Sequence, residues 1–250
     1  MIKTFLSGKR KEIIFGSILG DGSLKIHKPY KNARFSFKHS VKQEEYFFWK
    51  QKELKEISSE KDAWRQKNDG FGFDKLRFQS RALEELTAIY KLTHKKNKLV
   101  IKRKWLNKMS PLSLAVWWMD DGSIVANGRK GVICTDSFDF ESQKLLAHYL
   151  AKVWKIKVSI NPITRNYKGE RKQYYRLWIR STEEFKKFLR IILPYMVESM
   201  LYKAIILYKD SQLQQRWISE VVEKTKFSRD TVEKYLLEKQ SKYKRFQKMI

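Results

Sequence analysis

"FGSILGDGS", residues 15–23, sets three glycines and one aspartate where an apolar, helix-like run gives out. A carboxylate at that point faces the negative end of the helix dipole and gains nothing from it. Its presence therefore needs another reason. One hundred residues further on, "LAVWWMDDGS" (114–123) repeats the arrangement: an apolar run, then Asp121, Gly122 and Ser123.

The repetition extends outward from both aspartates. Each is followed by Gly-Ser and a short β-like run ("SLKIH" and "SIVA"), then a second strand ending in serine ("ARFSFKHS" and "GVICTDS"). A charged helical stretch comes next in both halves ("KQEEYFFWKQKELKEI" and "FESQKLLAHYLAKVW"), and "KLRFQSRALEEL" then resembles "YRLWIRSTEEF". Helix, two strands, helix, two strands, helix, written twice, predicts an α+β fold made of a duplicated αββαββα unit. The first half is assigned to 1–100 and the second to 101–209, with a small helical C-terminal extension over 210–250.

Composition narrows the partner. The 250 residues carry a formal charge of +27, and 42% of them are hydrophobic, enough for a real core. A compact body holding that much like charge repels itself unless a polyanion neutralises it. No apolar run approaches the roughly 18–20 residues of a membrane span, and the start "MIKTFLSGKRKE" lacks the apolar segment of a secretory signal. Cys134 is the only cysteine and the four histidines are scattered, which excludes a disulfide framework and a zinc finger. The expectation is an intracellular protein, in an organelle matrix or a bacterial cytoplasm, that is neither secreted nor held in a membrane.

The strands alternate with period two. Arg34, Ser36 and Lys38 interleave with Phe35 and Phe37, and Lys75, Arg77 and Gln79 with Leu76 and Phe78. "KIKVSIN" sets Lys155, Lys157, Ser159 and Asn161 against Ile156, Val158 and Ile160; "RLWIR" sets Arg176, Trp178 and Arg180 against Leu177 and Ile179. Each sheet thus has one apolar and one cationic, hydrogen-bonding face. Any antiparallel sheet has a solvated face, but four strands without an acidic residue in those positions point to nucleic acid. Arg and Lys read guanine in the major groove and Asn or Gln read adenine, while phosphate contacts supply affinity.

A lone Asp-Gly pair is an ordinary turn. Two of them, at the ends of duplicated helices (about 10–20 and 111–120), would meet if the helices packed about a pseudo-twofold axis. Two adjacent carboxylates repel unless they share a proton or a cation, and a hard oxygen site on a phosphate-binding surface implies Mg²⁺. Metal held between paired carboxylates and a scissile phosphate supports hydrolysis. Gly16 and Gly20, four apart, leave one helix face open to a close neighbour. Ser110 is placed to cap the second helix, with Pro111 in its first turn.

"IFGSILGDG" (14–22) and "LAVWWMDDG" (114–122) resemble the two signature motifs of double-motif, single-chain LAGLIDADG homing endonucleases, particularly the intron-encoded type. The resemblance covers roughly residues 8–208. It implies motif helices at a central interface, saddle-shaped antiparallel sheets on the major groove of a long asymmetric double-stranded DNA site, and metal held by Asp21 and Asp121. The family's basic residues near the scissile phosphates match Lys98 in "KKNKLVI" and Lys203 in "MLYKAII". Val116 and Asp120 stand where the first motif has Gly16 and Gly20, and Asp120 is a third carboxylate without an assigned role. The chain has neither the terminal cysteine or serine nor the closing His-Asn of an intein, which fits a free endonuclease.

In the tail, Ile218, Val221 and Val222 precede a turn at "KFS", and Ser228 is placed to cap a helix carrying Val232, Tyr235 and Leu236. The pattern fits a helix-turn-helix offering Arg229, Thr231 and Lys234 to DNA, and equally an ordinary helical hairpin packed on the body. The expected function is Mg²⁺-dependent, site-specific double-strand DNA cleavage by a monomer. The rival is an intron maturase that binds RNA with the same basic surface and does not cut.

Overall fold

The computed structural model describes residues 6–59, 61–68, 72–167 and 169–247. The chain divides into two compact units, Met1–Asp120 and Asp121–Ile250.

In the first unit, helix α1 (Gly8–Leu19) leads into strands β1 (Gly22–Lys25) and β2 (Arg34–Ser40), helix α2 (Glu44–Glu53), strands β3 (Ala63–Gln66) and β4 (Lys75–Gln79), and helix α3 (Glu84–Thr93). A two-residue hairpin, β5 (His94–Lys95) and β6 (Lys98–Leu99), then a short α4 (Arg103–Leu106), lead to α5 (Pro111–Asp121). The four main strands form one antiparallel sheet in the order β1-β2-β4-β3. Alternation does what the sequence requires: Phe35, Phe37 and Phe78 are buried, whereas Lys38 and Arg77 are exposed.

The two motif helices pack together inside this unit. A Cβ added to Gly16 would lie 2.3 Å from the Ser113 carbonyl oxygen and 2.8 Å from the Val116 Cβ; one added to Gly20 would lie 2.5 Å from the Asp120 Cβ. Glycines on α1 thus receive the larger residues of α5. The second helix therefore needs no small face of its own, and the substitutions at Val116 and Asp120 are accommodated by the first motif. Gly20 is the residue that ends α1, not an interior position. Ser110 caps α5, accepting from the Ser113 backbone N–H at 3.2 Å, while Ser113 Oγ donates to the Glu12 carbonyl at 2.8 Å.

The division after Asp120 differs from the repeat boundary placed at 100/101. The repeat counts α5 with the second half, but its side chains pack on α1 and it joins the first unit. Sequence repeat and compact unit are separate properties here.

The second unit holds β7 (Gly122–Val125), β8 (Lys130–Ile133), α6 (Phe140–Val153), β9 (Ser159–Tyr167), β10 (Glu170–Ile179) and α7 (Thr182–Ile192). Its sheet has the same antiparallel order as the first, β7-β8-β10-β9. A 3₁₀ helix, Glu198–Lys203, precedes the tail helices α8 (Ser211–Thr225), α9 (Arg229–Gln240) and α10 (Lys244–Gln247). One expected strand is shorter than its alternation predicts: β9 begins at Ser159, so Lys155 and Lys157 precede it. Lys155 sits in the left-handed region (φ 58°) just after α6, which breaks the extended run.

The tail packs within the second unit. Trp217, Ile218, Val221, Val232 and Leu236 are buried, Trp217 Nε1 donates to the Ala204 carbonyl at 3.2 Å, and Lys239 Nζ donates to the Tyr202 carbonyl at 2.7 Å. Ser228 caps α9 as expected, accepting from the Thr231 N–H at 3.1 Å.

Candidate active site

Asp21 follows the last turn of α1, and its side chain is 38% exposed. Its backbone N–H donates to Asp120 Oδ2 at 3.3 Å, tying the end of one motif helix to the end of the other. The Asp120 carboxylate is wholly buried, a costly place for a charge unless it is paired and hydrogen-bonded. Lys50 of α2, equally buried, meets that need: Nζ donates to Asp120 Oδ1 at 2.7 Å and Oδ2 at 2.9 Å, and the Tyr46 hydroxyl donates to Oδ1 at 2.8 Å. The Lys50 ammonium also lies over the rings of Phe37 and Tyr46, at 5.0 and 4.9 Å from their centroids.

His39 completes the cluster. It continues β2 on the apolar side, after Phe35 and Phe37, and is buried. Its Nε2 is 3.3 Å from Lys50 Nζ and its Nδ1 is 3.3 Å from Asp21 Oδ2. Burial, and then the neighbouring ammonium, push His39 below its ordinary pKa against the pull of Asp21 and Asp120.

Asp21, His39 and Asp120 present ligand atoms within 4.8 Å of one another. Their chemistry separates them as metal ligands. Asp120 spends both oxygens on Lys50, and His39 turns Nε2 to the same ammonium. The exposed Asp21 carboxylate is a hard donor at the mouth of the cluster and fits a hard dication with a shell completed by water and phosphate oxygens.

Asp121 opens the second unit, and its carbonyl accepts from the Cys134 N–H at 3.0 Å. Its carboxylate and the Lys203 ammonium both act on the Cys134 thiol. Burial raises that thiol's pKa, with Asp121 and Asp136 adding to the rise and Arg176 and Lys203 opposing it. The motif aspartate and the expected catalytic lysine of this half thus share one neighbourhood. Lys203 is largely buried at the end of its 3₁₀ helix. It lines a cavity of about 430 Å³ with Ser123, Tyr202, Tyr235 and Lys239. Lys98 is exposed at the start of β6, beyond a turn whose Asn97 side chain accepts from the Ile26 N–H at 3.1 Å.

On the first sheet Ser36 pairs with Gln79, Lys38 with Arg77 and Ser40 with Lys75, so the expected residues share one face. Arg34 donates to Gln79 at 3.2 Å. Trp64, exposed and paired with Arg77, joins them. Its four-residue strand is too short for alternation to reveal it. On the second sheet Trp178 pairs with Ser159 and Arg176 with Asn161, and Arg180 donates to the Ser159 hydroxyl at 3.2 Å. This face is less cationic than strand reading predicts. Asp136, in the loop after β8, takes two hydrogen bonds from Arg176, at 2.6 and 2.8 Å, and a third charge contact from Arg165 at 3.0 Å. The Arg176 hydrogen bond holds the Asp136 carboxyl below the usual range. Lys157 precedes the strand, and its N–H donates to Glu184 Oε2 at 2.8 Å. In the tail, Arg229 donates to Gln215, Ser219 and Glu233, and Lys234 is exposed.

Among the described residues no helix is long and apolar enough to cross a membrane.

Comparison with known proteins agrees with this architecture. The chain is 30% identical over 216 residues to the protein RecA of Mycobacterium gastri, covering 80% of this chain and 48% of that protein. It therefore spans about half the length of the RecA relatives it matches. It is 26% identical over 197 residues to the cytochrome b mRNA maturase bI2 of Debaryomyces hansenii, covering 77% of this chain and 72% of the maturase. Among solved structures, the homing endonuclease I-WcaI bound to its DNA recognition sequence shares the fold, with TM-score 0.69 and 23% identity over 82% of this chain and 89% of that one. The family model described as the LAGLIDADG DNA endonuclease family matches residues 11–188, from α1 into α7. This chain belongs to that family.

Proposed function

We propose that the chain is a site-specific double-strand DNA endonuclease, monomeric, which hydrolyses phosphodiesters with a divalent cation, Mg²⁺ in the cell. The observation that carries this reading is that each motif helix leads to an aspartate followed at once by the glycine that opens a strand, Asp21-Gly22 and Asp121-Gly122. A protein that only binds nucleic acid gains nothing from keeping two such anions on a phosphate-binding body.

Asp21 serves as a cation ligand in the first half and Asp121 in the second, and Lys98 and Lys203 meet the scissile phosphates or the attacking water. A divalent cation bound to such carboxylates lowers the pKa of a coordinated water and offsets charge on the leaving oxygen. The sheet faces grip the duplex. Arg34, Ser36, Lys38, Lys75, Arg77 and Gln79 serve one half-site; Lys157, Ser159, Asn161, Arg176, Trp178 and Arg180 serve the other, and Arg229 and Lys234 of the tail add contacts. Unlike side chains on the two faces make the recognised site asymmetric.

The test is a randomised duplex library incubated with Mg²⁺, with the cut ends captured and sequenced. One long asymmetric consensus, cut only when the cation is present, is expected. The similarity to a maturase supports a second reading, in which the same surface binds intron RNA. Tight RNA binding with no cleavage of any duplex would favour that reading over the first.

A further inference from the structure

The Lys50–Asp120 pair sits where it costs most. Both charges are wholly buried, and Asp120 occupies the helix-crossing position where the first motif has Gly20. Apolar residues of similar volume generally stabilise a fold as well as a buried ion pair does. Stability alone therefore gives little reason for the pair to be there. Its geometry gives another. An ammonium only donates, so His39 Nε2, 3.3 Å from Lys50 Nζ, accepts, and the ring proton sits on Nδ1. That edge faces Asp21 Oδ2 at 3.3 Å, while Asp120 takes the Asp21 N–H.

We propose that Lys50, Asp120 and His39 form a positioning relay that sets the Asp21 carboxylate, and that this relay exists in the first half only. Asp120 fixes Lys50, Lys50 fixes the tautomer and ring of His39, and His39 turns a donor toward Asp21. The second half is built otherwise. Gly22 pairs with Phe37 and Gly122 with Ile133, so the residue two beyond the partner is His39 in one half and Thr135 in the other. Thr135 donates to Gln143 Oε1 of α6 at 2.7 Å, and Gln143 Nε2 donates to the Thr135 carbonyl at 2.8 Å. That network is neutral and runs on to the backbone, Gln143 Nε2 donating also to the Tyr175 carbonyl at 2.8 Å. His39 is thus a positioning residue for one of two metal-holding aspartates, and its loss affects one strand of the duplex.

The inference rests on the reading of Asp21 as a metal ligand, and its test separates the two. Strand-resolved cleavage of a duplex carrying the selected site is measured for wild type, His39→Leu, His39→Asn, His39→Gln and Asp21→Asn, beside Mn²⁺ titration of each protein by electron paramagnetic resonance. His39→Leu should slow one strand about 10–100-fold and weaken Mn²⁺ at one site by a similar factor, the usual effect of removing an outer-shell partner. DNA binding should be unchanged. Asn places its amide N–H near the Nδ1 position and should restore most of the rate; Gln reaches toward Nε2 and should not. If Leu fails to fold, the Asn–Gln difference alone decides. Equal slowing of both strands, equal Asn and Gln variants, or wild-type cutting by His39→Leu while Asp21→Asn is dead would each overturn the relay. Wild-type cutting by Asp21→Asn would instead overturn the reading of Asp21, and the relay with it.

Discussion

The two halves share one backbone plan and differ in how they treat the interior beside the motif aspartate. In the first, a lysine and a carboxylate are buried together against a histidine. In the second, the matching place holds a threonine that bonds a glutamine, and both reach the Tyr175 carbonyl without charge. Duplication preserved the strand register, Gly22 to Phe37 and Gly122 to Ile133, while the polar chemistry diverged. Topology is fixed by apolar alternation and helix packing; the site's electrostatics depend on a few side chains that packing tolerates in more than one form.

The sharpest way to break this comparison is to unpair the charges. Lys50→Met leaves the Asp120 carboxylate buried without its countercharge, and should cost about 3–5 kcal/mol in urea unfolding. Pairing it with Asp120→Ala should recover most of that loss. The counterpart Gln143→Leu, which orphans neutral groups, should cost about 1–3 kcal/mol. Equal costs would mean that the charged half is not special.

A smaller effect is expected at the helix crossing. Gly16→Ala drives a methyl into the Ser113 carbonyl and should destabilise by about 1–3 kcal/mol, as overpacking does. Gly8→Ala, on the same helix with nothing within 4 Å, should leave the melting temperature unchanged or slightly raised. The sheet faces should differ too. Arg77→Ala is expected to lower the slope of log affinity for DNA against log salt by about one. Arg176→Ala should lower it less, because Asp136 already takes that charge.

A pH dependence is expected as well, confined to the second unit. Burial, with Lys242 nearby, pushes the Lys239 ammonium down from 10.5 to about 7. Between those values the unfolded chain holds a proton that the folded chain lacks, so stability rises with pH across that window and flattens below it. Hydrogen exchange of α9 should slow from pH 7 toward 10 after correction for intrinsic rates, and Lys239→Met should abolish the trend.

Much of this was legible in the sequence. Twin Asp-Gly-Ser motifs, strands alternating between aromatic and basic residues, and Ser110 and Ser228 as caps fixed the duplicated unit and the tail helices. The relay was not legible, for physical reasons. His39 extends the alternation of Phe35 and Phe37 and so reads as core. Lys50 is one lysine among several in "KQEEYFFWKQKE", and only the turn of α2 selects it for burial. The available signal was Asp120 itself, a charge in a position that packs against Gly20 and therefore demands a buried partner. Asp136 escaped notice because it lies just past its strand, although it neutralises Arg176 within it.

The most direct test of the central claim is cleavage of the selected duplex by Asp21→Asn and Asp121→Asn, with DNA affinity and melting temperature measured on the same preparations. Loss of double-strand cutting in each, by at least about a thousandfold, with affinity and folding within about twofold and a few degrees of wild type, is the expected result. Cleavage that persists in both variants would contradict it.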